Sequence, residues 1–231
     1  MENNTNKIKD APAPWTLTGS VSYLFYHKSR IAQDSFNENP DPIRSPFRGG
    51  FGGIILVRYT NSPVGPYDEL ILVPGCYQFG DRTYNRISQI YVSSLDSVIN
   101  GRRNWNVPKK LAIFRWNDDS TYAKIYLPDQ DEPFCTIRVQ PRFYCLPVSS
   151  AIVPAGFRTL LQPPLEETED KTNYCKIVPS CSGWFRPIVQ LLEFHTDGKE
   201  IPSHDQLPIY TYGVGYETFT LIFPEAEPVA H

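Results

Sequence analysis

No apolar run in this chain approaches the ~20 residues a membrane-spanning helix needs. The first ten residues are polar, so neither a signal peptide nor an anchor is expected. Charge of one sign is also missing. Twenty-two Lys and Arg face 25 Asp and Glu, a net charge of −3, which argues against a nucleic-acid surface. The one dense basic cluster, Arg102, Arg103, Lys109 and Lys110, is too short to reverse that view. Metal-ligand spacing is absent as well. Cys76, Cys135, Cys145, Cys175 and Cys181 are odd in number and fit no zinc pattern, and nothing demands a Cys175–Cys181 pair. His27, His195, His204 and His231 show no ligand spacing either, and His195, on an apolar run, reads as structural. Reduced thiols predict a cytoplasmic protein. Ser62 and Ser182 sit in no nucleophile elbow. The glycines of 49–53 precede a strand rather than open a helix, so they form a flexible loop or bulge, not a phosphate cradle.

No internal repeat or linker divides the 231 residues, which suffice for one substantial core. Proline is abundant at 22 residues and spread throughout, which suits short strands joined by tight turns. Residues 1–14 read as a flexible arm and 15–231 as one domain. Segments 21–26, 53–59, 69–73, 87–93, 111–116, 121–127, 135–139, 142–146, 188–194, 208–214 and 217–223 are rich in β-branched and aromatic residues and are predicted strands. Helical spacing appears in 95–106, with Ser94 or Asp96 as cap. A shorter helix fits 149–161 outside Pro154, and 162–171 reads as an acidic loop. Many strands with one main helix predict a mainly β (α+β) fold, a single barrel-like domain.

The helix of 95–106 leads into Gly101-Arg102-Arg103-Asn104-Trp105-Asn106-Val107-Pro108-Lys109-Lys110-Leu111. Pro108 cannot donate a backbone hydrogen bond and restricts its predecessor, so the helix ends near Val107. Two lysines then stand side by side. Solvation of both, close to a helix C-terminus, is the ordinary reading. The alternative is chemical: a desolvated lysine loses charge readily, and its neutral amine attacks ketones and aldehydes to give an imine.

The segment resembles the acetoacetate decarboxylase family, whose signature is a Gly-Arg pair followed closely by Pro-Lys-Lys-Leu. The matching residues are Gly101-Arg102 and Pro108-Lys109-Lys110-Leu111, and the stronger likeness covers 50–116. The resemblance implies an acetoacetate-decarboxylase-like β-barrel and assigns the Schiff-base lysine to Lys109. It makes Lys110 the neighbour that lowers the pKa of Lys109, an activation for which acetoacetate decarboxylase is the standard example. Tyr67-Asp68-Glu69 resembles the segment with a catalytic glutamate. Adjacent strand residues face opposite sides, and the likeness favours Glu69 as the inward acid, moving protons at the carbon beside the imine. Asp68, Tyr91, Arg102 and Arg58 are carried as substrate-binding candidates, with Trp105 and Phe114 as further wall residues. Toward the end, Leu207-Pro208 and the run from Phe223 to Glu227 resemble the closing strands of the family.

Two departures stand out. The family's decarboxylases carry a second acid on the strand before the Asp/Glu segment, and 53–58 has none. They also carry an arginine near the N-terminus for the substrate carboxylate, and 15–26 has none; Arg44, Arg48, Arg58 and Arg86 are the candidates to replace it. The expected function is a lyase-type enzyme acting on a keto acid, ketone or aldehyde through a lysine imine, with a specialised, natural-product substrate implied by the divergence. It would need no metal or dissociable cofactor and would assemble as a homo-oligomer. Two alternatives stay open: a non-covalent cyclase, dehydratase or isomerase using Lys109 and Glu69 as acid and base, and a non-catalytic small-molecule-binding barrel.

Overall fold

The structure is a computed structural model, and it describes residues 8–28, 45–168, 172–203 and 209–230. Arg44, His204, Leu207, Pro208 and His231, singled out above, lie outside the described residues, as do residues 169–171 of the acidic loop and the first half of the arm. In chain order the strands are β1 (Trp15–Lys28), β2 (Phe47–Asn61), β3 (Tyr67–Val73), β4 (Cys76–Phe79), β5 (Arg82–Asn85) and β6 (Gln89–Val92). Helix α1 (Leu95–Trp105) follows, then β7 (Lys109–Leu111), β8 (Ile113–Trp116), β9 (Tyr122–Tyr126), β10 (Cys135–Arg142) and β11 (Leu146–Ser149). The short helix α2 (Ala155–Arg158) precedes β12 (Leu160–Gln162), β13 (Asn173–Ile177), β14 (Ser180–Thr196), β15 (Tyr212–Phe223) and β16 (Glu227–Ala230).

The main sheet runs β8-β9-β10-β14-β15-β1-β2-β3-β6-β7, with β11 added to β14. Its end strands, β7 and β8, do not pair with each other, so the ladder is open. Yet only Ala112 separates them, and its N–H donates to the Val92 carbonyl at 2.9 Å. One segment of chain therefore serves both edges of a strongly curled sheet. A smaller sheet, β4-β5-β12-β13-β16, extends from the start of β2. This is the mainly β, one-helix fold expected.

Alternation along the strands sorts the apolar residues into two cores. Leu24, Ile54, Leu56, Leu70, Leu72, Tyr91, Ile125 and Ile137 belong to the first, which draws on strands all around the main sheet. Trp15, Leu17, Val57, Tyr59, Tyr67, Ile71, Ile90, Trp105 and Phe219 form the second, on the opposite face of the same strands and beneath α1.

Helix α1 is fixed at both ends. Ser94 Oγ accepts from the Ser97 N–H at 3.3 Å, and Asn106 closes the last turn in the left-handed region at φ 54°. Ser94→Ala should lower stability by about 1 kcal/mol, measured by urea unfolding. The second half of the N-terminal arm is tied down rather than loose. Ala11 N–H donates to Asn100 Oδ1 (2.9 Å), Asn100 Nδ2 to the Lys9 carbonyl (2.7 Å), and Asn104 Nδ2 to the Ala11 carbonyl (2.9 Å).

The glycines of 49–53 are strand, not loop. Gly49 and Gly50, with φ of 76° and 96°, form a bulge at the start of β2. At Gly53 any Cβ would meet the Tyr23 ring at 2.2 Å. His195, expected to be structural, is exposed on β14 beside Glu193.

Candidate active site

Strand register gathers the chemistry on one face. In β3, Tyr67, Glu69 and Ile71 point to the second core while Asp68, Leu70 and Leu72 point away. Glu69 pairs with Val92 across the β3–β6 ladder, and Ile90 pairs with Lys109 across the parallel β6–β7 ladder. Glu69 and Lys109 thus share a face two strands apart, roughly 10 Å between backbones, a gap that a lysine and a glutamate side chain close. Lys109 Nζ lies 2.6 Å from Glu69 Oε1, and both side chains are buried, at 7% and 5% exposure.

The rest of the site surrounds that pair. Lys109 Nζ donates to Ser97 Oγ at 2.9 Å and lies 3.5 Å from the Tyr67 hydroxyl. The Tyr59 hydroxyl donates to Glu69 Oε2 at 3.3 Å. Helix α1 supplies Ser97 and, one turn later, Gly101, across which the lysine stem passes. A cavity of about 80 Å³ opens on the pair, and its apolar walls include Trp15, Leu17, Ile71, Ile90, Phe223 and the expected wall residue Trp105. Trp15 is held by its indole N–H on the Ala11 carbonyl (2.9 Å) and by edge-on contact with Trp105 at 5.1 Å.

Burial, reinforced by the Glu69 carboxylate, raises the Tyr59 and Tyr67 phenols well above their ordinary value of 10.0. Both therefore remain donors at neutral pH. Above about pH 10 unfolded tyrosines release protons that these two retain, so the unfolded state binds fewer protons and stability must fall as pH rises through that range. Tyr59→Phe should flatten that fall, followed as denaturation midpoints between about pH 9 and pH 11.

The remaining sequence candidates lie elsewhere. Lys110, next on the strand, faces away from Lys109. Its Nζ reaches Glu200 Oε2 at 3.3 Å, and its side chain is 50% exposed. Geometry does not bring the two lysine nitrogens together, because neighbouring strand residues point to opposite faces. Tyr91 is fully buried in the first core, its hydroxyl on Glu200 Oε2 at 2.6 Å, and Phe114 packs against the same core. Neither walls the Lys109 cavity. Arg58 bonds to Ser120 and lies 3.8 Å from Asp68 Oδ1. Burial raises the Asp68 carboxyl while Arg58 opposes the rise. Arg102 donates from Nη1 to the Lys109 carbonyl at 3.0 Å and pairs with Glu167 at 2.6 Å. With Arg86, Lys110 and Gln162 it lines a separate cavity of about 540 Å³. The lysine also does not point into the core ringed by the main sheet, as a barrel-interior site would require; it points into the second core, under α1.

Sequence reasoning missed Tyr59, Ser97 and Trp15, and it quoted Tyr67 and Gly101 only as members of motifs, with no role at the site. For Ser97 and Gly101 a signal existed, two small residues four apart on one face of α1. Among the described residues no group of three or more His, Cys, Asp or Glu is placed to hold a metal ion, and no helix is long and apolar enough to cross a membrane.

The model of the family described as acetoacetate decarboxylase (ADC) matches residues 40–203, which hold both Lys109 and Glu69. The chain belongs to the acetoacetate decarboxylase family. Its fold agrees with the crystal structure of acetoacetate decarboxylase from Legionella pneumophila at a TM-score of 0.67, with 13% identity over 96% of this chain and 89% of that one. An acetoacetate decarboxylase-like enzyme from Sphingomonas wittichii RW1 superposes at 0.65, with 10% identity over 100% of this chain and 98% of that one. The enduracididine biosynthesis enzyme MppR does so at 0.64, with 13% identity over 100% of this chain and 92% of that one. Among curated proteins, Protein NEOXANTHIN-DEFICIENT 1 of Oryza sativa is 25% identical over 44% of this chain and 33% of its own length. Its Arabidopsis thaliana namesake is 25% identical over 46% and 38%. The chain thus matches only about a third of the length of these relatives.

Proposed function

We propose that this member of the ADC family is a lyase-type enzyme in which Lys109 forms an imine with a carbonyl substrate and Glu69 carries protons to and from the adjacent carbon. The observation that carries this reading is the buried Lys109–Glu69 contact of 2.6 Å at the wall of an apolar cavity. A proton shift across that contact turns an ion pair into an amine and a carboxylic acid, and the amine is the nucleophile. Once formed, the protonated imine accepts electrons from a neighbouring bond, so loss of carbon dioxide or making and breaking of a C–C bond becomes accessible. Glu69 is close enough to take or return the proton, and Tyr59 steadies its second oxygen.

One feature of the site favours a second reading. The three N–H bonds of an ammonium match three acceptors here, Glu69, Ser97 and Tyr67, which suits Lys109 as a positioned acid in non-covalent isomerisation or dehydration. Borohydride separates the two. Incubation with a panel of keto acids, ketones and aldehydes, followed by reduction and peptide mapping, should give a stable adduct on Lys109 alone. Turnover without a trappable adduct selects the non-covalent reading. Saturable binding with neither adduct nor turnover overturns both in favour of a binding protein.

A further inference from the structure

We infer that the Lys109 cavity takes a small, neutral, apolar ketone or aldehyde group and rejects carboxylates, so that decarboxylation is not its reaction. The inference rests on the imine reading and narrows it to a substrate class. Lys109 is the one cation among the residues lining the cavity, and Glu69, 2.6 Å away, already neutralises it. A substrate carboxylate there would place a second anion beside Glu69 with no further cation among the described residues that line the cavity, an arrangement that desolvation strongly penalises.

The described arginines of the surrounding elements are committed elsewhere. Arg102 serves Glu167 and the Lys109 carbonyl, Arg58 serves Ser120 and Asp68, Arg48 bonds to Gln78, and Arg86 faces the separate cavity of about 540 Å³. At the start of β1, where the side chains turn toward Lys109, stand Trp15 and Leu17, both almost fully buried. Size points the same way. At about 80 Å³ the cavity is near half that of an engineered protein cavity of ~150 Å³ that admits benzene. That is room for a carbonyl carbon with short alkyl arms.

The chemistry such a group undergoes is balanced within the site. The Lys109 ammonium and a ketone give a protonated imine and one water. The Glu69 carboxylate then takes a proton from the α-carbon, leaving a neutral enamine and a carboxylic acid. Return of a proton from Glu69 restores the protonated imine, and water releases the ketone. If Glu69 exchanges with solvent in between, the α-carbon acquires solvent hydrogen, and no oxidant or metal enters the balance.

The test compares 2-butanone with levulinate, which carries the same methyl ketone and adds a carboxylate. In D2O the protein should catalyse α-deuteration of 2-butanone, seen by NMR, and borohydride should trap it on Lys109 at least about tenfold more readily than levulinate. Trp15→Arg, which puts a cation beside the cavity, should shift that preference toward levulinate by about tenfold. Should that variant fail to fold, the wild-type comparison decides alone. Levulinate trapped as well as or better than 2-butanone overturns the substrate class and leaves the imine standing. Trapping of neither, alongside turnover of another carbonyl compound, brings down the imine itself and this inference with it.

Discussion

Lys109→Met will cost the fold about 3–5 kcal/mol, and adding Glu69→Leu will return most of that loss. The single change leaves the Glu69 carboxylate buried, with Tyr59 but no cation beside it, and a half-removed buried ion pair is the costly case. Glu69→Leu alone is the mirror image, stranding an ammonium with only Ser97 and the more distant Tyr67. The double variant replaces the pair by two apolar side chains in a pocket already lined by Ile71, Ile90 and Leu17, where they pack rather than demand partners. Urea unfolding of the wild type, both single variants and the double variant gives the coupling energy directly. A coupling below about 0.5 kcal/mol would mean that the two groups do not depend on each other, and the proposed proton exchange would lose its basis. Lys109→Met and the double variant should also lose borohydride trapping at residue 109, the double variant despite its recovered stability. That separates the chemical role from the structural one.

The reason for such energy at this spot lies in how the site is assembled, and only part of that was legible in the sequence. Pro108 and the helix before it were readable because capping and the proline restriction act over a few neighbouring residues. Helix α1 ends one residue earlier than expected, with Asn106 taking the left-handed cap. From the residues alone the choice between Asp68 and Glu69 was readable only as a parity, one of them facing the lysine, and the family likeness was what favoured Glu69. Which one faces the lysine depends on the β3–β6 and β6–β7 registers, fixed by pairings about twenty residues apart in sequence. The β2–β3 hairpin sets Tyr59 directly opposite Tyr67, so two phenols meet at Glu69 although no motif marks either as part of a site. Lys110 failed as a partner for a simple reason. The chain leaves α1 as a strand, and on a strand adjacency in sequence means separation in space. Strands β4, β5, β12, β13 and β16 escaped notice because they are only three to five residues long, too short for alternation to show.

Gly101→Ala will leave the protein folded and cut its rate of imine formation by about a hundredfold. Gly101 sits inside α1, where alanine is intrinsically preferred by about 1 kcal/mol. It lacks the positive φ that would oppose a side chain, and its substitution meets no backbone. A Cβ there would instead lie 2.7 Å from Lys109 Cδ and 2.8 Å from Cε, the far end of a flexible side chain. The obstruction is relieved by moving the lysine, not the helix. Yet the nitrogen is now aimed by that track: the stem crosses Gly101, and Nζ reaches Ser97, one turn back on the same helix, and then Glu69. A displacement of about 1 Å at the reacting nitrogen is worth roughly two orders of magnitude in rate. The fall should appear in kcat, with KM little changed, because the cavity walls remain. Ser97→Ala should be milder, since Lys109 retains Glu69. An unaltered trapping rate in Gly101→Ala would show that the lysine reaches its carbonyl from another rotamer and that the small face of α1 serves packing alone.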